Sequence, residues 1–114
     1  MTNLKAETCE ACRPDAPRVT GEELNALLAE VPDWSLVEED GVQQLKRVIK
    51  LANFVAALRL ANDIGGMAEA VGHHPALLVE WGRLTVRWWS HEMGGLHRND
   101  FILAARTDDL VAKA

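Results

Sequence analysis

The chain has 114 residues, which suits one domain with one hydrophobic core, helped by some self-association. Hydrophobic residues make up 48% and charged residues 25%, the balance of an ordinary soluble globular protein. The net charge of -5 argues against direct binding to nucleic acid. No apolar run approaches the ~20 residues that span a bilayer. The polar residues at the start of the sequence do not resemble a signal peptide. We therefore expect a cytoplasmic protein that does not contact membranes.

Residues 1–18 are predicted to form a flexible leader ahead of a single domain at residues 19–114. The leader contains both cysteines, Cys9 and Cys12, at a spacing found in half of a zinc site or in a redox dithiol. A zinc site would need a second ligand pair, and the chain has no further cysteine. A redox pair should lie between a strand and a helix, whereas Pro14 and Pro17 follow these cysteines. We interpret them as incidental, reduced thiols in a mobile tail.

The first half of the domain predicts a helix followed by two strands. Thr20 and Glu23 form a capping-box pattern, and leucines at helical spacing follow them until a proline ends the helix. A short strand is predicted at Trp34–Val37, before an acidic turn. The residues of Val42–Leu51 alternate between two faces, which predicts a longer strand even though the core face includes an arginine.

The second half predicts a long helix, a hairpin and a final helix. Asn53 is the expected N-cap of the long helix, which ends at a glycine. Leu77–Trp81 and Leu84–Ser90 predict two strands joined by a tight turn, and Asp100–Thr107 predicts the last helix. The order α-β-β-α-β-β-α predicts an α+β fold, an antiparallel four-stranded sheet with helices packed on one face.

The three tryptophans of the hairpin have different expected positions. Leu84, Val86 and Trp88 alternate along one face of the second strand, and we assign that face and Trp81 to the core. Trp89 lies on the opposite face, so it should pack at a subunit contact or line a pocket.

Three histidines and two carboxylates are candidates for catalysis: Glu69, His73, His74, His91 and Asp100. Glu69 and His73 are four residues apart, so they should share a helix face and hydrogen-bond. His74 lies beyond the helix, where the following proline favours an extended backbone. His91 ends a strand just before a glycine loop, a usual place for functional residues.

Each of these histidines has simpler explanations. The doublet could cap a helix end, where the helix dipole favours it, and His91 and His97 could be surface residues. A zinc or iron site is also conceivable from these residue types. However, adjacent residues in an extended segment point to opposite sides, so His73 and His74 would hardly share one ion. A metal-free acid/base site fits better, because histidine titrates near neutral pH and can divide donor and acceptor roles.

At these residues the chain resembles the pterin-4a-carbinolamine dehydratase family. The family pattern is a glutamate, three residues, His-His-Pro, a hairpin, then Thr-His-Glu ahead of Gly-Leu and an aspartate. Here the pattern is present as Glu69, His73-His74-Pro75, Ser90-His91-Glu92, Gly95-Leu96 and Asp100. The resemblance extends over residues 20–107, and the fixed intervals between its motifs make it specific.

The resemblance implies a hydro-lyase that dehydrates 4a-hydroxytetrahydrobiopterin to quinonoid dihydropterin, and so recycles the pterin cofactor of aromatic amino acid hydroxylases. His73, His74 and His91 would form the acid/base cluster, while Glu69, Asp100 and Pro75 would orient the cluster or the substrate. The pterin would be the substrate, with no metal and no resident cofactor. The family also suggests a homodimer with a sheet continued between subunits, or a homotetramer. Which histidine is the acid and which the base is left open.

Two further expectations accompany the resemblance. His97 stands where the family usually has a serine or threonine capping the last helix, and losing that hydroxyl should cost about 1 kcal/mol. Members of this fold also serve as protein-binding modules, as a coactivator or an assembly factor. A non-catalytic module of that kind is the alternative function.

Overall fold

The structure, a computed structural model, describes residues 4–7, 18–91 and 94–114. A short 3-10 helix at Leu4–Ala6 is followed by seven larger elements. They are α1 (Gly21–Glu30), β1 (Ser35–Glu39), β2 (Val42–Lys50), α2 (Phe54–Val71), β3 (Ala76–Glu80), β4 (Arg83–Trp88) and α3 (Arg98–Lys113). The predicted α+β class and the order α-β-β-α-β-β-α are confirmed.

The four strands form an antiparallel sheet in the order β1-β2-β4-β3, so β2 and β4 are central. Leu45 pairs with Trp88 and Ile49 with Leu84, and all four side chains are buried. Paired residues of antiparallel strands point to the same face, and this face meets the apolar sides of α2 and α3 in the core. The predicted core face of β4 is therefore confirmed, and the end of β4 lies close to the start of α3.

An ion pair explains the arginine on the core face of β2. Arg47 donates to the carboxylate of Asp108 on α3, and Trp34 Nε1 donates to the same oxygen, Asp108 Oδ1, at 2.8 Å. Burial raises the pKa of Asp108, against the opposing effect of these two donors. Trp34 is thus a core residue that precedes β1. Because β1 runs from Ser35 to Glu39, the predicted strand Trp34–Val37 begins one residue too early and ends two residues too early.

Two other predictions on the local structure are wrong. Trp81 is 74% exposed instead of buried, because the hairpin turn between β3 and β4 places its side chain beyond the sheet. Thr20 precedes α1 but makes no side-chain capping bond. Gly21 has a φ of 60°, and this turn out of the helical path displaces the Thr20 hydroxyl from the first amides of the helix.

Asn53 is confirmed as the N-cap of α2, since its Oδ1 accepts a hydrogen bond from Ala56 N at 2.9 Å. The final helix, Arg98–Lys113, is longer at both ends than the predicted Asp100–Thr107, and its N-cap is His97. Within the described ranges, no helix is both long enough and apolar enough to cross a bilayer.

Part of the predicted leader packs against α3. Leu4 is buried, Glu7 forms an ion pair with Arg98, and Arg106 Nε donates to Lys5 O at 3.0 Å. Cys9 and Cys12 lie outside the described residues. The flexibility of the leader and the role of its thiols stay predictions.

Candidate active site

The end of α2 determines where the two adjacent histidines point. Gly72 has a φ of 67°, in the left-handed region that favours glycine. Its N–H donates to the carbonyl oxygens of Ala68 and Glu69, which closes the helix. The chain reverses there, and the backbone N–H of His73 also returns to Ala68 O at 3.3 Å. As a result the imidazole of His73 is buried and that of His74 is exposed.

His73 is held against α3 and β4. Its Nε2 donates to Asp100 Oδ1 at 2.7 Å, and only 7% of the side chain is exposed. The imidazole also stacks on Trp88, with ring centroids 6.0 Å apart and planes at 16°. Trp88 is itself fixed, because its Nε1 donates to Thr107 Oγ1 at 3.1 Å. The plane and the direction of the His73 ring are therefore set by two buried neighbours.

Asp100 connects three segments of the chain through one fully buried carboxylate. Oδ1 accepts from His73, while Oδ2 accepts from Ser90 Oγ and from the backbone N–H of His97, both at 2.9 Å. Both oxygens of the carboxylate are thus hydrogen-bonded, as a buried charged group requires. Asp100 positions His73 from the side away from the solvent.

Glu69 contacts His74, and the predicted hydrogen bond between Glu69 and His73 is wrong. His74 Nε2 donates to Glu69 Oε1 at 2.6 Å, and both side chains are largely exposed. The four-residue spacing applies only inside a helix, and the left-handed Gly72 ends α2 before His73. The next residue, His74, is the one that turns back over the last turn of the helix.

His91 joins the doublet from the far end of β4. Its Nε2 donates to the backbone carbonyl of His74 at 3.2 Å, and its ring stacks on Trp89 with centroids 4.3 Å apart. The structure therefore brings together the three histidines that the sequence singled out. Pro75 is half-buried between His74 and β3, and its orienting role stays a prediction.

The three imidazoles share a pattern of hydrogen bonding. In His73, His74 and His91, the nitrogen Nε2 faces an oxygen of the protein, namely Asp100 Oδ1, Glu69 Oε1 and His74 O. Within the described part of the chain, Nδ1 of each of these three rings makes no hydrogen bond, and an imidazole nitrogen of this kind can accept or donate a proton. Such a set of fixed imidazoles suits general acid/base chemistry near neutral pH.

In the described part of the chain, no group of three or more histidine, cysteine or acidic side chains is placed to share a metal ion. The divergence of His73 and His74 is the geometric reason, since one meets Asp100 in the core and the other meets Glu69 at the surface.

Known proteins with similar sequences identify the family. The family described as pterin 4 alpha carbinolamine dehydratase matches residues 17–110 of this chain. The chain belongs to the pterin 4 alpha carbinolamine dehydratase family. Two curated proteins, from Marinobacter nauticus and Nitrosococcus oceani, are each 54% identical to it and are named "Putative pterin-4-alpha-carbinolamine dehydratase". The alignments cover 96% and 97% of this chain, and 99% and 98% of those proteins.

A solved structure has the same fold as this dehydratase family member. The protein from Brucella melitensis, described as a transcriptional coactivator/pterin dehydratase, superposes with a TM-score of 0.76 at 25% identity. The match covers 83% of this chain and 99% of that one. The predicted family and the predicted enzyme class, a dehydratase of the hydro-lyase type, are thereby confirmed.

His97 has a structural place in this dehydratase, next to the histidine cluster. Its Nδ1 accepts from Asn99 N at 3.0 Å, and Asp100 accepts from the His97 backbone N–H, which together make a capping box at the start of α3. The expected loss of the helix cap is therefore wrong. An unprotonated imidazole nitrogen accepts the amide hydrogen bond that a serine or threonine hydroxyl would accept.

Ser90 is a member of the site that was not among the predicted candidates. Adjacent side chains in an extended segment point to opposite faces, so Ser90 and His91 diverge. The same alternation directs Ser90 toward the core, where it donates to Asp100. The sequence contained a signal for this direction, since Ser90 lies two residues after the buried Trp88 and should point to the same face.

Proposed function

We propose that this chain dehydrates 4a-hydroxytetrahydrobiopterin to quinonoid dihydropterin and water, and thereby recycles the pterin cofactor of aromatic amino acid hydroxylases. The observation that carries the proposal is the convergence of His73, His74 and His91, from two distant segments, in a chain of the pterin 4 alpha carbinolamine dehydratase family. The names of the curated relatives support the same substrate class.

The chemistry needs one acid and one base. Hydroxide is a poor leaving group, so an imidazolium donates a proton to the C4a hydroxyl as the C–O bond breaks and water departs. The N5 lone pair forms the new bond to C4a, and a neutral imidazole accepts the proton that the pterin ring then releases. One proton is given and one is taken, so the total number of protons on the protein is unchanged, and a proton exchange between the two imidazoles or with water restores the starting state. Each positioned proton transfer typically contributes about 10²–10⁴-fold to the rate.

The environments of the three rings supply different means of positioning. Asp100 and Trp88 fix His73 from the buried side, whereas Glu69 fixes His74 at the surface. Because all three Nε2 atoms are engaged by the protein, the three Nδ1 atoms are the positions that exchange protons with the substrate in this mechanism.

The deciding experiment generates 4a-hydroxytetrahydropterin with an aromatic amino acid hydroxylase and follows its dehydration by absorbance. Wild type should accelerate the step, and His73→Ala and His74→Ala should each lower kcat by about 10²–10⁴-fold. Trp81→Leu, at an exposed turn, serves as the control and should keep full activity. If the wild type and both histidine variants dehydrate the substrate equally slowly, the proposal is wrong.

We also propose that the pterin is only the substrate, with no resident cofactor and no metal. Activity should then survive extensive dialysis against a chelator, with no zinc or iron bound in stoichiometric amount. A loss of activity that added metal restores would contradict this. We further place the protein in the cytoplasm.

For the assembly we propose a homodimer or homotetramer. The edge strand β3 has unpaired backbone groups on its outer side, and Leu78 on it is exposed. Phe54, Val55 and Leu58 of α2 are exposed as well. Apolar side chains of this kind commonly mark subunit contacts. Light scattering during gel filtration should give a mass of two or four chains, and a monomer at micromolar concentration would contradict the proposal.

The alternative is a protein-binding module without catalysis. The Brucella melitensis structure favours it, because that protein is described as a transcriptional coactivator as well as a pterin dehydratase. Two results together would support this function over the dehydratase: wild type shows no dehydratase activity, and the His73→Ala variant still binds a protein partner.

A further inference from the structure

Two adjacent tryptophans at the end of β4 each stack on a different histidine of the site. The ring of Trp88 lies 6.0 Å from that of His73, and the ring of Trp89 lies 4.3 Å from that of His91. Successive side chains of an extended chain point to opposite faces. One dipeptide thus reaches a buried imidazole on one side of the sheet and an exposed imidazole on the other.

Trp88 and Trp89 differ in what else they do. Trp88 is fully buried between the sheet and α3, so removing it would disturb the core as well as His73. Trp89 is half-buried at the edge of the core, and its contact with His91 is the closer of the two stacks. An effect of Trp89 on the site can therefore be separated from an effect on folding.

Among the residues that the structure describes, no carboxylate contacts His91, whereas Asp100 contacts His73 and Glu69 contacts His74. His91 is exposed, and its Nε2 donates at 3.2 Å to a backbone carbonyl, that of His74. That hydrogen bond alone leaves the imidazole able to swing about the Nε2–O direction, which moves Nδ1. The indole of Trp89 lies against the ring with the planes at 27°, so it restricts this motion. Trp89 and His91 are two residues apart and therefore share a side of the chain.

We propose that Trp89 is a positioning residue for the dehydration: its indole fixes the plane of the His91 imidazole and so aims Nδ1 at the substrate. The inference rests on the proposed function. The face of Trp89 that His91 covers is not available to a pterin ring. Trp89 should consequently act on the rate of the proton transfer and not on the affinity for the substrate.

The test compares Trp89→Leu with Trp81→Leu, which makes the same change at an exposed turn. Trp89→Leu should lower kcat by about 10-fold, because small displacements of a catalytic group cost one to two orders of magnitude, while KM should stay within about 2-fold. Trp89→Phe keeps an aromatic face and should restore most of kcat. Trp81→Leu should change neither constant. If Trp89→Leu melts at a lower temperature, Trp89→Met replaces it as an unbranched, more adaptable side chain without a ring.

A KM that rises in Trp89→Leu while kcat stays constant would overturn the proposal and make Trp89 a platform for the substrate. Equal kinetics in Trp89→Leu and wild type would overturn it too. An NMR measurement separates these results from a failure of the function: the ring protons of His91 should move downfield in Trp89→Leu, since the indole ring current is lost. Without that movement the stack is absent and the proposal fails. If the movement occurs but wild type does not dehydrate the pterin, the proposed function is wrong, and the role of Trp89 with it.

Discussion

His73 and His74 are neighbours in the chain, yet 7% of one side chain and 58% of the other is exposed. His73 belongs to a buried half of the site, with Ser90 and Asp100, in which every bond lies in the core. His74 belongs to an exposed half, with Glu69 and His91.

The difference shows two ways of fixing an imidazole. In the buried half the fold itself provides the geometry, so any change there should reduce stability and activity together. In the exposed half, a hydrogen bond with a solvated carboxylate contributes little to stability. A change there should reduce activity alone.

The largest effect is expected at Asp100, where the buried half has its common acceptor. Asp100→Ala would leave the His73 ring, the Ser90 hydroxyl and the His97 amide without their acceptor. Each buried unpaired group costs about 1–3 kcal/mol, so unfolding by urea should show a loss of about 3 kcal/mol or more. Dehydratase activity should fall with it.

Asp100→Asn provides a second variant that is more certain to fold. The amide keeps one acceptor oxygen, so the loss of stability should be smaller, about 1–2 kcal/mol, while activity stays low. Asp63→Asn, at an exposed position of α2, is the matched control. Wild-type stability in Asp100→Ala would contradict the role of the buried half.

His74→Ala tests the exposed half, where activity and stability should separate. The free energy of unfolding should change by less than about 0.5 kcal/mol, as is usual for surface positions. The dehydration rate should nonetheless fall by about 10²–10⁴-fold. Chemical unfolding and the pterin assay on the same preparation check this. A destabilisation as large as that of Asp100→Ala would abolish the distinction between the two halves.

His97 lies beside the buried half but acts as a helix cap, so changing it should cause an intermediate loss of stability. His97→Ala removes the acceptor for Asn99 N and should cost about 1 kcal/mol of stability. His97→Ser supplies a hydroxyl acceptor and should recover most of that loss. Both variants should retain most of the dehydratase activity. If His97→Ser is stable but inactive, His97 takes part in the chemistry.

The element order, the core face of β4 and the opposite directions of His73 and His74 could be predicted, because they follow from local periodicity and from the pattern at the helix end. The partner of Glu69 was predicted wrongly, because the four-residue spacing of a helix was extended to His73, whereas the left-handed Gly72 ends the helix before it. A glycine before the doublet was a usable signal for this ending.

Contacts between distant segments were harder to predict. Nothing in the local pattern of Ser90 shows that it meets Asp100, since the packing of α3 against the end of β4 brings these two residues together. Trp81 shows the opposite error. A large aromatic residue suggests burial, but a hairpin turn one residue beyond β3 placed it in solvent.

The smallest effect is expected at the partly exposed ion pair between Glu7 and Arg98, and Arg98 lies only two residues before Asp100. Glu7 accepts two hydrogen bonds from the Arg98 guanidinium, at 2.8 and 3.0 Å, and this contact holds the pKa of Glu7 below its ordinary value of 4.5. A carboxylate whose pKa is lowered on folding stabilises the folded state above its unfolded pKa, and this contribution is lost as the pH falls through the folded pKa. Glu7→Gln should therefore cost less than about 1 kcal/mol at pH 7, since the pair is partly exposed.

The difference in the free energy of unfolding between wild type and Glu7→Gln should vanish in acid and become smaller in salt. The free energies of unfolding of wild type and Glu7→Gln should converge as the pH falls through the lowered pKa of Glu7, where the wild-type carboxylate is itself becoming protonated. At 1 M salt and pH 7 the gap should narrow, because the Debye length is then only about 3 Å. Glu38→Gln, at an exposed position of β1, controls for the loss of a surface charge. A gap that persists unchanged once Glu7 is protonated in the folded and the unfolded state would mean that Glu7 stabilises α3 by packing, as the buried half does, and not through its charge.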